Sequence, residues 1–194
     1  MRDFIKITEL KIKVKDKFSV ADLLKDLNEW LKENHYVDLN GKEDYETLYT
    51  HALKSGGSFL DSWLWWRCVK YPEGTAKKTA YLRYRLNIDM HYLGDAAETE
   101  VVHKGKKVKL NRGEMSITIT PTVELDFRNE WKNKGLAGLF DEIFKKRLYK
   151  KDIGKHIEFL ILESYRLQNM FKQFFRLEST AEKETVSQPP EGLM

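Results

Sequence analysis

One cysteine, Cys68, is all that the 194 residues contain. No internal disulfide can form, and because Cys68 lies inside an apolar run it reads as a buried, inert thiol in a reducing compartment. No stretch approaches the roughly 18 consecutive apolar residues that a membrane-spanning helix needs. The opening MRDFIKITELKIKVK alternates charge with apolar residues, so it reads as neither a signal peptide nor a span, and the expected location is the cytoplasm. Glutamine is scarce, limited to Gln168, Gln173 and Gln188, while charged residues make up 33% of the chain, a balance that leans toward proteins of hot environments.

Motifs of chemistry are also missing. His35, His51, His103 and His156 show no metal-site spacing, and there is no paired cysteine, so neither a metal nor a cofactor is expected. The glycines match no phosphate-binding loop, and no hydrolytic triad can be assembled by spacing. No catalytic residue can therefore be named, although the composition does not rule an enzyme out. Arg83, Arg85, Asp89 and His91 share one polar strand face; the plain reading is a solvated face with cross-strand ion pairs.

What is present is apolar material for a core: 41% hydrophobic and 12% aromatic residues. Phe4 to Val14 predicts a strand whose alternation slips near Thr8-Glu9, as around a bulge. Ser19, with Asp22 three residues on, predicts the N-cap of a helix whose apolar stripe runs from Val20 to Leu31. From Tyr45 the period is two for about eighty residues. Strands are expected over Tyr45–Leu53, Phe59–Tyr71, Thr79–Tyr92, Glu98–His103, Lys107–Leu110 and Glu114–Phe127, with Pro121 marking a bulge or an edge. The last third is helical, with one stripe from Leu136 to Phe144 and a longer one from Ile153 to Phe175. A single domain over 1–177 is expected, followed by a disordered acidic tail over 178–194. The tail holds four Glu and one Lys, so the formal charge of +4 for the chain becomes +7 for the body.

Strand, helical segment, a run of antiparallel strands and a long C-terminal helix is an α+β order that resembles the helix-grip plan of the Bet v 1 and START-like superfamily. The resemblance covers about Phe4 to Leu177 and carries no short motif. It departs from the plan in having one clear helix after the first strand, where two short ones are usual, and an additional helix near Leu136. It implies a curved antiparallel sheet gripping the long helix, with an elongated cavity that holds an apolar small molecule or lipid. Trp66, Tyr84, Leu86, Ile88, Met90, Ile117 and Ile119 on the sheet, with Ile157, Leu160 and Ile161 on the helix, are the candidate lining of a pocket of roughly 300 Å3 or more.

A second candidate surface comes from Ser62-Trp63-Leu64-Trp65-Trp66-Arg67, which places three of the five tryptophans within four positions. Trp63 and Trp65 share one strand face and Trp66 takes the other, so both faces are apolar. The second face needs a cover: the helix near Leu136, a ligand, or another protein chain, with Trp63, Trp65 and Arg67 as the partner-binding set of an interaction module that pairs with another protein or forms a homodimer. A third candidate, nucleic acid, rests on two basic segments, Lys104, Lys106 and Lys107 in a hairpin and Lys145, Lys146 and Arg147 on a helix.

Overall fold

The computed structural model describes residues 3–75, 80–103, 106–127 and 150–186. The elements are β1 (Asp3–Lys6), β2 (Leu10–Phe18), α1 (Val20–Glu33), β3 (Glu46–Lys54), β4 (Phe59–Lys70), β5 (Leu82–Asp95), β6 (Thr99–His103), β7 (Lys106–Leu125) and α2 (Lys150–Val186). All strand pairs are antiparallel, and the sheet runs β1-β7-β5-β4-β3, with β2 and β6 also on β7. The chain is thus α+β, and the N- and C-terminal helices pack on the same core as the inner sheet face, an arrangement compatible with a helix grip.

The slip near Thr8-Glu9 and the irregularity at Pro121 are one feature. β1 and β2 both pair with β7, but their registers differ by one residue, Lys6 facing Thr122 and Leu10 facing Ile119. The Ile7 N–H donates to the Pro121 carbonyl at 3.0 Å. In an antiparallel strand a residue's N–H and C=O point to the same side, so the donor that proline lacks would have pointed into this break, where the ladder is already interrupted. That is how a proline sits within a 20-residue strand.

β5 follows the expected alternation. Leu86, Ile88 and Met90 are fully buried and Arg85, Asn87, Asp89 and His91 fall on the other side. Lys107–Leu110 and Glu114–Phe127, read separately from sequence, form one continuous β7. Near its middle Gly94 and Gly113 face each other, and a Cβ on Gly94 would meet the Arg112 carbonyl at 2.4 Å and Gly113 Cα at 2.6 Å. The Tyr92 hydroxyl occupies that space instead, donating toward the carbonyls of Asp95 and Arg112.

α1 begins as its sequence predicts, with the Asp22 N–H donating to Ser19 Oγ at 3.1 Å, and it buries Leu23, Leu27 and Leu31. α2 is described as one helix from Lys150 to Val186. Its stripe of Ile153, Leu160, Ser164, Leu167, Phe171 and Phe175 is buried. The helix continues past Leu177 to Val186, beyond the point where its apolar periodicity ends. The expected helix at Leu136–Arg147 and residues 187–194 of the expected tail lie outside the described residues. No helix among the described residues is long and apolar enough to cross a membrane.

Candidate functional site

The Trp-rich strand β4 divides its tryptophans as the alternation requires. Trp66 turns inward, 5% exposed, and stacks on Tyr45 with ring centroids 5.9 Å apart. Trp63 and Trp65 turn outward and remain 43% and 39% exposed. The helix near Leu136, one of the covers expected there, lies outside the described residues.

Both outward indoles are held in place. Trp63 lies nearly flat on the His91 ring of the neighbouring strand, 3.9 Å between centroids and 13° between planes. His91 Nε2 is 2.8 Å from Asp61 Oδ1, and Lys54 from β3 ion-pairs with the same carboxylate. Hydrogen bonds from Lys54 and His91 hold the Asp61 carboxyl below its ordinary range. Arg67 sits over the Trp65 ring at 5.6 Å, with its Nη1 2.7 Å from Asp89 Oδ1. These are the cross-strand pairs expected of the polar face, and they fix ring orientation as much as they balance charge. Further along the face the solvated reading fails: Arg83 and Glu124 form a buried pair at 2.7 Å, with the guanidinium 4.6 Å from the Phe127 ring centroid.

At the sheet's glycine bend an open groove of about 640 Å3 adjoins this face, walled by Phe59 and Leu93 and flanked by Lys15, Arg112, Asp95 and Glu114. Its opposite charges nearly balance, so it has no preference for an anion.

The inner face brings together the candidate ligand-lining residues. Tyr84, Leu86, Ile88, Met90, Ile117, Ile119 and Leu160 belong to one core with Trp66, and Ile157 packs against it. Leu86, Ile88, Met90, Ile119 and Leu160 have no accessible surface. A void large enough for water would register as accessible surface on its walls, so these side chains pack directly on their neighbours. At the margin a 90 Å3 cleft touches Ile161, Ile7, Leu10 and Pro121.

A polar cluster lies between β4 and α2, and sequence reasoning missed it. Glu163, 3% exposed, accepts a hydrogen bond from the Tyr36 hydroxyl at 2.6 Å and another from the Lys70 ammonium at 2.5 Å. Lys70 also stands 5.5 Å from the Tyr36 ring centroid and 5.1 Å from that of Phe159. Burial, with the adjacent Glu163 charge, pushes the Tyr36 phenol well above its ordinary range. About two helical turns toward the N-terminus of α2, the Tyr84 hydroxyl and His156 Nδ1 are 2.6 Å apart. Burial pushes the phenol up to about 12 and the imidazole down, so the neutral forms are favoured and the two share one hydrogen bond whose direction follows the imidazole tautomer. The signal was available: Lys70 falls on the inward parity of β4 with Leu64, Trp66 and Cys68, and Glu163 falls three residues after Leu160 on the apolar stripe of α2. A charge on each of two facing apolar surfaces is the sequence trace of a buried ion pair.

Cys68 is buried and its thiol is pushed up by that burial, as its place in an apolar run predicts. Among the described residues no group of His, Cys, Asp and Glu could hold a metal ion. Of the basic residues considered for nucleic acid, Lys104, Lys145, Lys146 and Arg147 lie outside the described residues, and for Lys106 and Lys107 the structure describes only the backbone, in β7. Compared with known proteins, the chain matches no family model and no curated sequence.

Proposed function

We propose that the chain is a protein-interaction module whose docking surface is the outer sheet face centred on Trp63, Trp65 and Arg67, with the sheet and its two helices as the rigid support. The observation that carries this reading is the pair of indoles, each about two-fifths exposed and each clamped by a neighbouring ring or guanidinium. Tryptophan and arginine are the residues that dominate binding energy at protein interfaces, and rings already fixed in place lose little rotamer entropy when a partner lands. The acids beside them, Asp61 and Asp89, are already ion-paired, so the surface offers apolar area with its charges satisfied, which suits a protein surface better than a phosphate backbone. A reducing, cytoplasmic setting goes with this reading, since the only thiol is unpaired and buried.

The element order supports placing the chain with the Bet v 1 and START-like helix-grip proteins. An apolar ligand of the kind that resemblance implies would have to part α2 from the sheet at Leu86, Ile88, Met90, Ile119 and Leu160, which have no accessible surface among the described residues. Native mass spectrometry of protein purified without detergent reads this directly, as a lipid-sized adduct.

For the docking face the test is a paired variant. Trp63→Glu with Trp65→Glu should retain the wild-type circular dichroism spectrum, because neither indole is in the core, and should lose the partners recovered by quantitative affinity purification from the source cells. Recovery of the same partners at the same yield would refute the assignment.

A further inference from the structure

The sheet ends in two edges of opposite character. On one, β2 carries Lys11, Lys13, Lys15 and Lys17 at alternate positions, a pattern that discourages pairing with another strand. On the other, β3 (ETLYTHALK) is exposed at eight of its nine positions and has no proline, and no Lys, Arg, Asp or Glu between Glu46 and Lys54. Tyr49 and Leu53 are 50% and 60% exposed.

The hydrogen-bonding parity of this edge follows from two backbone bonds. The Arg67 N–H donates to the Tyr45 carbonyl, and the Ala96 N–H donates to the Ser58 carbonyl. Odd-numbered residues of β4 therefore bond to β3 and even-numbered ones to β5. In the β3–β4 register Leu48 faces Trp65, Thr50 faces Trp63 and Ala52 faces Asp61, so these three direct their N–H and C=O into the sheet. Tyr49, His51 and Leu53 direct theirs outward, while Thr47 falls at the register shift between Glu46 and Leu48.

We propose that β3 pairs antiparallel with β3 of a second copy of this chain, about a twofold axis at Thr50, joining the two sheets into one. In that register the outward-directed Tyr49 meets the outward-directed His51 of the second copy, and Leu53 lies opposite its Thr47. On the alternate face Leu48 opposes Ala52, and the two Thr50 side chains meet at the axis as a non-hydrogen-bonded pair. No charge opposes a like charge. Tyr49 and His51 already lie together, 5.6 Å between ring centroids, so the twofold brings four rings onto one side of the joined sheet. The contact is isologous and closes, and the lysine-bearing β2 lies away from the seam on each copy.

This deepens the interaction-module reading, since the joined sheet carries two Trp63–Trp65 surfaces, yet the two claims fail separately. Thr50→Cys in the full chain places two thiols across the axis at a Cβ separation of about 4.5–5.5 Å, within reach of a disulfide after a small adjustment. Cys68, buried, does not compete. Under mild oxidation Thr50→Cys should convert to covalent dimer, Leu48→Cys and Ala52→Cys alone should not, and the Leu48→Cys, Ala52→Cys double variant should. By sedimentation the wild-type chain should run at twice the mass of one chain. His51→Pro, which removes an outward N–H and keeps every β3–β4 bond, should halve that mass and keep the wild-type circular dichroism spectrum. A wild-type chain that sediments as a monomer at its highest soluble concentration, or equal cross-linking at Leu48 and Thr50, would overturn the pairing. A monomer whose Trp63→Glu, Trp65→Glu variant still loses its partners would overturn the pairing alone; a dimer whose variant keeps them would overturn the docking face alone.

Discussion

Replacing Glu163 with leucine strips two donors of their acceptor at once. The Lys70 ammonium, 9% exposed, would remain between the Tyr36 and Phe159 rings with no counter-charge, and the Tyr36 hydroxyl would lose a 2.6 Å bond. Breaking one side of a buried ion pair costs about 3–5 kcal/mol, and this overlaps with the roughly 1–3 kcal/mol of the orphaned hydroxyl, so the two do not add in full. A loss of about 3–5 kcal/mol is expected out of a total stability of about 5–15 kcal/mol. Lys70→Met should cost a comparable amount, because the carboxylate it leaves behind keeps only the phenol. The double variant Lys70→Met, Glu163→Leu removes both charges and fills the space with apolar atoms but leaves the Tyr36 hydroxyl without its acceptor, so it should recover most of the loss and stay within about 1–3 kcal/mol of the parent. The assay is urea unfolding followed by far-ultraviolet circular dichroism. With a slope of about 1–3 kcal/mol per molar urea, either single change should lower the midpoint by about 2 M with the slope unchanged, and the double variant should restore most of that shift. Single variants that each shift stability by less than about 1 kcal/mol would show that water reaches Lys70 and that the pair is not a buried clamp between sheet and helix.

Gly94→Ala drives a Cβ to within 2.6 Å of backbone on β7 and onto the Tyr92 hydroxyl, so it should cost several kcal/mol, while alanine at the unobstructed Gly154 of α2 should be neutral or stabilising; parallel thermal melts compare them, and equal effects would refute the glycine-bend account. Burial pushes the Tyr45, Tyr84 and Tyr92 phenols up to about 12 and the Tyr36 phenol well above its ordinary range. In the unfolded chain these phenols ionise near about 10, so their contribution is full below that pH and is lost as pH rises through the folded values; urea midpoints should fall between about pH 10 and 12, and a flat profile there would refute it. Burial lowers the His156 pKa, so its contribution is present above about 6.5 and lost as pH falls through the depressed value; His156→Phe should flatten the acid limb.

Much of the architecture is legible in the chain because it is encoded in neighbouring residues. The period-two run of β5 names its buried face, Ser19 and Asp22 name the start of α1, and the stripe from Ile153 to Phe175 names the buried side of α2. The slip at Thr8-Glu9 and the proline at position 121 were each readable, but that they oppose each other depends on the registers of β1 and β2 against β7. The alternation in β4 states that Trp63 and Trp65 point away from Trp66; it does not state which side receives the helices, since both sides are apolar. Tertiary packing decided this by covering Trp66 and leaving the other two indoles open. The clamp of Lys70, Glu163 and Tyr36 likewise joins residues 93 and 127 positions apart. Periodicity reports the direction of a side chain relative to its own strand or helix, over a few residues. Whether a charge that points inward meets its counter-ion, and whether an indole that points outward meets water, depends on elements far along the chain arriving at the same place.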